Sequence, residues 1–293
     1  MENNKLVFHF TSMSAFTKII KGGAFYLFDI TKSNDPLEGK FVVNALKKAY
    51  GYLRQTEKIT QSQYTLAHRA FFDFAETISA FDRLDNLILS ASFCMPNHEL
   101  SLWRSYGDGG KGVAIGISTE KLSQIASATK GMAFQKIKYL SQKEMEQCAE
   151  EFWIRELSEY KCYSEKEIEN PERLLEEKLR KFYFDGYFIK HDANKDEEEY
   201  RLIYHHAIKL SNYCLPGCGP NVDANIDFQE TVDNLKAYYK IDIKKTEKRE
   251  QLMERIFLGP LCRANKNEIS MFLSKYCVGE CAVLSRNCIS MGE

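Results

Sequence analysis

The sequence predicts an α+β fold, a mixed or antiparallel sheet core with helices inserted in blocks. Two observations carry this. About seven short runs alternate or are rich in aromatic and β-branched residues, and two stretches near 39–84 and 141–185 carry apolar residues at three- and four-residue spacing. The blocks do not alternate one-for-one with the strands, as a parallel α/β sheet would require.

Residues 5–10 alternate and read as the first strand. SMSAFTKIIKGG follows as a short helix: Ser12 or Ser14 is placed to cap it, Phe16, Ile19 and Ile20 form its apolar face, and Gly22-Gly23 stop it. AFYLFDI is the second strand, and SNDPLEG a turn in which Asn and Asp bond their own backbone and Pro excludes helix before it. GKFVVNALKKAYGYLRQ and YTLAHRAFFDFAETISAF fill the first helical block. NLILSASFCM is a strand, HELSLWRSYG a short helix, and GKGVAIGIS and AFQKIKYL are further strands. EMEQCAEEFWIREL and PERLLEEKLRKFYF make the second block, their charges forming the solvated faces of amphipathic helices. EEEYRLIYHHAI and ERIFLGP read as strands, ANKNEISMFLSKY as a helix with Asn265 at its cap, and CAVLSRNCI closes the chain.

The 293 residues suffice for one large domain or two; the chain is read as a single α+β domain over 1–293. Lys plus Arg (40) balance Asp plus Glu (41), so no global field draws the chain to nucleic acid or to an acidic membrane, although a local basic face stays compatible with the count. No apolar run approaches the roughly 20 residues of a spanning helix, and MENNKLVFHF lacks a signal-peptide pattern, so a cytoplasmic protein without membrane contact is expected. Nine cysteines, an odd number, fit reduced thiols. Cys214/Cys218 and Cys277/Cys281 have three residues between partners rather than the two of a tight zinc knuckle, and no metal is expected. GDGGKGV is not a P-loop, because Lys111 is followed by Gly112 and a strand instead of Ser or Thr opening a helix.

Four features carry chemistry: HFTS at a strand end, Tyr26 after paired glycines, the LSLWRSYG helix beside the strand bearing Ser90 and Ser92, and the acidic run DEEEYRLIY entering a strand. Each also has a structural explanation. A strand histidine is satisfied by a backbone carbonyl, Tyr26 and Trp103 are packing aromatics, and four consecutive acidic residues form a solvated turn.

Taken in order, His9-Phe10-Thr11-Ser12, Asn34-Asp35-Pro36-Leu37-Glu38, Trp103-Arg104-Ser105-Tyr106-Gly107 and Glu197-Glu198-Glu199-Tyr200-Arg201 resemble the motifs of a bacterial family of uncharacterised proteins. That family opens with His-Tyr-Thr-Ser and ends with a Glu-x-Glu-aromatic-Arg strand. It resembles in turn the His-Tyr-Glu branch of ADP-ribosyltransferase-like folds. This chain departs from the pattern in having Phe10 for Tyr, and Asn194 where Trp is common.

The resemblance implies an enzyme that consumes NAD as substrate and transfers ADP-ribose to a macromolecule, as a toxin or anti-phage effector with a regulatory or antitoxin partner. It implies Glu199, or Glu197 two residues away, as the carboxylate that stabilises the oxocarbenium-like state. His9 with Thr11 or Ser12 would bind the ribose, Tyr26 would stack on the nicotinamide, and Ser90 and Ser92 would order Glu199. Arg201 is expected to pair with Asp35 or Glu38. Three other readings stay open: an NAD glycohydrolase, a metal-dependent nuclease built on the acidic run with Lys190 and Lys195, and a non-catalytic sensor or scaffold.

Overall fold

The computed structural model describes residues 5–30, 40–81, 86–95, 99–160, 170–207, 224–230, 235–243, 252–276 and 282–285. Its strands are β1 (Leu6–Thr11), β2 (Ala24–Asp29), β3 (Asn86–Cys94), β4 (Val113–Ser118), β5 (Met132–Lys136), β6 (Lys138–Leu140), β7 (Ile189–His191), β8 (Glu199–Ala207), β9 (Ile226–Glu230), β10 (Leu235–Asp242), β11 (Met253–Leu258) and β12 (Ala282–Ser285). Its helices are α1 (Met13–Gly22), α2 (Lys40–Gln55), α3 (Gln61–Phe81), α4 (Glu99–Ser105), α5 (Thr119–Ala128), α6 (Gln142–Ser158), α7 (Pro171–Asp185) and α8 (Lys266–Lys275). The α+β class holds. Ten strands form one sheet, antiparallel except for the β11–β12 pair, and β6 and β7 form a separate parallel pair.

The sheet is organised around β3, which gives one whole edge to β8, from Asn86 opposite Ala207 to Cys94 opposite Glu199. Its other edge is shared. Phe28 and Asp29 of β2 pair with Ser90 and Leu89, whereas Phe8 of β1 pairs with Cys94. Two wings diverge from this edge, one through β2, β10 and β9 and the other through β1, β4, β11 and β12. At the fork the His9 Nδ1 lies 2.9 Å from the Ser92 carbonyl oxygen and donates to it.

Side chains alternate across a strand, so these pairings decide which residues share a face. Val7, Phe25, Leu27, Leu89, Ala91, Ile115 and Leu202 form the main core with α1, α5 and α8, through Phe16, Ile19, Ile20, Leu122, Ile269 and Leu273. The opposite face carries two smaller apolar clusters, one around Phe8, Phe10, Leu102 and Trp103, the other around Ile88, Ile137, Tyr187, Phe188 and Ile203. The two predicted helical blocks fold together on a core of their own, in which Leu46, Leu53, Phe74, Trp153 and Leu175 are buried and the Trp153 indole donates to the Leu46 carbonyl at 3.1 Å.

Local chemistry explains the element ends. Ser12 caps α1 by accepting the Ala15 N–H, and Gly23 stops it at φ 66°. Asn265 caps α8 in a reciprocal box with Glu268, and Ser141 with Glu144 does the same for α6. The expected strand AFQKIKYL is two strands, β5 and β6, which serve different sheets. β9, β10 and α5 lie in stretches with no element expected from the pattern; β10 reads LKAYYKID and turns buried residues to one face only. SNDPLEG and the four paired cysteines lie outside the described residues. Among those residues no helix is long and apolar enough to cross a membrane.

Gly112 shows how tightly β1 and β4 meet. A Cβ there would sit 2.1 Å from the Thr11 carbonyl oxygen and 2.9 Å from that of Gly107, both backbone atoms that cannot swing aside. Gly112→Ala is therefore expected to cost about 1–3 kcal/mol, read as a lowered thermal midpoint with the fold retained by circular dichroism.

Candidate functional site

Glu199 opens β8 opposite Cys94, and Arg201 lies two residues on opposite Ser92, so both side chains stand on the face shared by Ser90, Ser92 and Cys94. Glu199 and Arg201 are 1% and 2% exposed. The Arg201 Nε donates to Glu199 Oε1 at 3.0 Å, and its Nη1 donates to the Tyr187 carbonyl at 2.7 Å.

The short turn Asp192–Glu197, ended by Glu198 in the left-handed region at φ 41°, brings Glu197 back beside β7. Lys190 projects from β7 between the two carboxylates, its Nζ 2.7 Å from Glu199 Oε2 and 3.0 Å from Glu197 Oε2. Tyr139 of β6 faces Lys190 across the parallel pair, and its hydroxyl accepts the Glu199 N–H at 2.9 Å. From the other side, Tyr106 just beyond α4 donates to Glu197 Oε1 at 2.7 Å. α4 is anchored by Trp103, edge-on to Phe10 with centroids 4.9 Å apart, and Gly107 leaves room for the indole where a Cβ would fall 2.4 Å from the ring.

Two carboxylates and two cations thus share one half-enclosed volume. Burial pushes the Glu199 carboxyl up, but the adjacent Arg201 and Lys190 charges, with hydrogen bonds from Lys190 and Ser92, outweigh it and hold the group below the usual carboxylate range. Burial works against the Lys190 charge, and the Glu199 and Glu197 carboxylates more than compensate, so its pKa rises. Burial raises the Cys94 thiol, with Glu199 and Glu197 adding to it; the same causes raise the Tyr106 phenol. Glu199 as carboxylate and Lys190 as ammonium are therefore the stable forms near neutrality. The cluster opens outward where Ser92 is exposed, where Tyr106 is 42% exposed and where the Glu197 side chain is 19% exposed.

Of the expected site residues, the structure brings Glu199, Glu197, Ser90, Ser92 and Tyr26 to one face, with Tyr26 two residues from Phe28, itself opposite Ser90. It separates His9 and Thr11 from them. Because Phe8 pairs with Cys94, Phe8 shares the Glu199 face and its neighbour His9 points to the other, against Phe25 and Phe93 at centroid distances of 4.8 and 6.0 Å. Thr11 is buried opposite Val113, and Ser12 is spent on the α1 cap. Burial lowers the His9 pKa against the raising effect of its bond to Ser92, which fits a neutral ring donating from Nδ1. The expected partners of Arg201, Asp35 and Glu38, lie outside the described residues. Tyr106 sat within a motif without a role, Tyr139 gave no sequence signal, and Lys190 entered only through the nuclease reading. Among the described residues no group of three or more His, Cys, Asp or Glu is arranged to hold a metal.

A family model described as a protein of unknown function (DUF2971) matches residues 102–202. The matched stretch contains Trp103, Tyr106, Tyr139, Lys190, Glu197, Glu199 and Arg201, hence every charged member of the cluster, and leaves out β1, β2 and β3. No curated protein and no solved structure matches the chain.

Two stability outcomes follow. Glu199→Gln leaves Arg201 and Lys190 without their shared anion and is expected to cost about 3–5 kcal/mol in urea unfolding. Because the folded pKa of Glu199 is depressed, the stability it contributes is present above its unfolded value near ~4.3 and is lost as pH falls through the folded one. His9 acts at higher pH: with a lowered folded pKa, the unfolded chain binds its proton first, so stability falls as pH drops below ~6.5. His9→Asn is expected to flatten the wild-type loss between about pH 7 and 5 in the same unfolding series.

Proposed function

We propose that the chain is an NAD-consuming enzyme of the ADP-ribosyltransferase-like kind, working from the sheet face that carries Glu197, Glu199, Ser92 and Tyr26. The observation that carries this reading is the pair of glutamates leading into β8, Glu197 and Glu199, braced by Arg201 and Lys190 and open to solvent beside Ser92. Breaking the bond between nicotinamide and ribose builds positive charge on the sugar, and a preorganised carboxylate lowers that barrier. The nicotinamide leaves with the bonding pair, and the acceptor's nucleophile forms the new bond at the same carbon and gives up its proton.

Burial divides the roles of the two glutamates. Glu199 is 1% exposed and both of its oxygens face cations, so it is a positioning residue, fixing Lys190 and Arg201. Glu197, at the mouth and held by Tyr106, is the carboxylate that meets the ribose. His9 supports the site from behind by holding the Ser92 carbonyl. A macromolecular acceptor, action as a toxin or anti-phage effector and a regulatory partner are what the family resemblance adds.

A second reading, a non-catalytic sensor that keeps the fold, rests on the same enclosure of Glu199. Incubation with NAD and measurement of free nicotinamide separates the two. Wild type is expected to release nicotinamide and Glu197→Gln to release it at least ~100-fold more slowly while unfolding at an unchanged temperature. Release that survives in Glu197→Gln moves the reactive carboxylate elsewhere. No release by wild type, with or without cell extract as a source of acceptor, rejects the enzyme.

A further inference from the structure

On β2, β10 and β9 the residues between the buried ones point to the same side as Ser92. They are Tyr26 and Phe28 on β2, Lys236, Tyr238, Lys240 and Asp242 on β10, and Asp227 and Gln229 on β9, placed side by side by the register Phe28 opposite Tyr238, Tyr26 opposite Lys240 and Gln229 opposite Lys236. None is buried, whereas Phe25, Leu27, Ala237, Tyr239 and Ile241 on the reverse side all are. Ser90, opposite Phe28, makes this surface continuous with Ser92 and the mouth of the carboxylate cluster.

The surface combines three aromatic rings, two ammonium groups, an amide, two carboxylates and hydroxyls, with no aliphatic side chain among these positions. The Tyr26 and Tyr238 rings meet edge to face at 5.0 Å, and Phe28 lies 5.8 Å from Tyr238. Lys240 Nζ is 5.6 Å from the Tyr238 centroid and 2.6 Å from Asp227, which also accepts from the Tyr238 hydroxyl at 3.3 Å. Protein interfaces are depleted in Lys and Asp, which stand among the rings on this surface. Unpaired bases offer flat faces for the rings and phosphates for the lysines.

We infer that this face binds single-stranded nucleic acid, with bases against Tyr238, Phe28 and Tyr26 and backbone phosphates against Lys236 and Lys240. Asp227 and Asp242 match the two positive charges in number, so stacking rather than net charge supplies the affinity. A duplex, whose bases are already stacked on one another, does not fit the face. The inference is independent of NAD turnover, since binding to these residues needs no cofactor.

Fluorescence anisotropy of the full chain with labelled 12-nucleotide oligo(dT) and oligo(U), without NAD, tests it. Both single strands are expected to bind and a 12-base-pair duplex to bind at least ~10-fold more weakly. Tyr238→Ala is expected to weaken single-strand binding by about tenfold, and the salt slope to be shallow, no steeper than about −1.4 and shallower still in Lys236→Glu. Lys236→Glu is an exposed-face change that keeps the proposal testable should Tyr238→Ala fail to fold. Absence of single-strand binding, equal binding of duplex, equal displacement by a poly-glutamate peptide, or affinity unmoved in both variants overturns it.

Discussion

The structure depends on the shared edge of β3. A central strand normally gives each edge to one neighbour, but β3 divides one edge between β2 at Leu89 and Ser90 and β1 at Cys94. The intervening backbone would then be left short of partners within the sheet. The His9 imidazole supplies the missing donor to Ser92 from a position where a purely apolar side chain could not. Its ring meanwhile packs on Phe25 and Phe93, so one side chain completes both a hydrogen-bond ladder and an aromatic core.

The fork sets which face each wing presents, and so where charge can accumulate. On the reverse side, an unbroken apolar layer lies beneath α1, α5 and α8. On the near side the apolar cover is divided into the Trp103 cluster and the Tyr187 cluster, and the ionic network of Glu197, Lys190, Glu199 and Arg201 stands with these two clusters. Burying such ions gains little stability over well-packed apolar residues of equal volume, since desolvation consumes most of the Coulomb attraction. A network of this kind is better explained by what it holds ready than by what it adds to folding, and perturbed titratable groups at an opening in the surface are the usual mark of that.

Much of this was legible in the sequence for reasons that are local. A cap needs only a side chain three residues from the N–H that it accepts, so Ser12 and Asn265 stood out, and a lone strand histidine pointed to a carbonyl partner, as His9 shows. What stayed hidden depends on pairing. The order of His9, Tyr26 and Glu199 along the chain suggested one wall, but whether two residues share a face is set by register, and the Phe8–Cys94 pair turns His9 away by a single position. Lys190 reaches its carboxylates only because the three-residue strands β6 and β7 pair, and strands that short leave no periodic trace. β10 did carry a local signal, since Leu235, Ala237, Tyr239 and Ile241 alternate with Lys236, Tyr238, Lys240 and Asp242 as in a half-buried strand.

The ionic network also joins the two cores. Arg201 holds the Tyr187 carbonyl, Tyr187 shares a hydroxyl hydrogen bond of 2.8 Å with Tyr183 of α7, and α7 packs through Leu175 and Leu179 into the helical core. Lys190 follows Tyr187 by three residues and is tied to the same segment. The helical block and the carboxylates are thus linked through directional bonds as well as through apolar contact, since Tyr183 packs against both clusters and Ile189 against the helical one. A displacement of α7 has to stretch or break the Arg201–Tyr187 bond, which leaves a buried guanidinium under-satisfied beside Glu199. The cost of that state helps keep α7 seated, and a shift of α7 also disturbs its Phe184 ring, which lies 4.3 Å from that of His205 on β8.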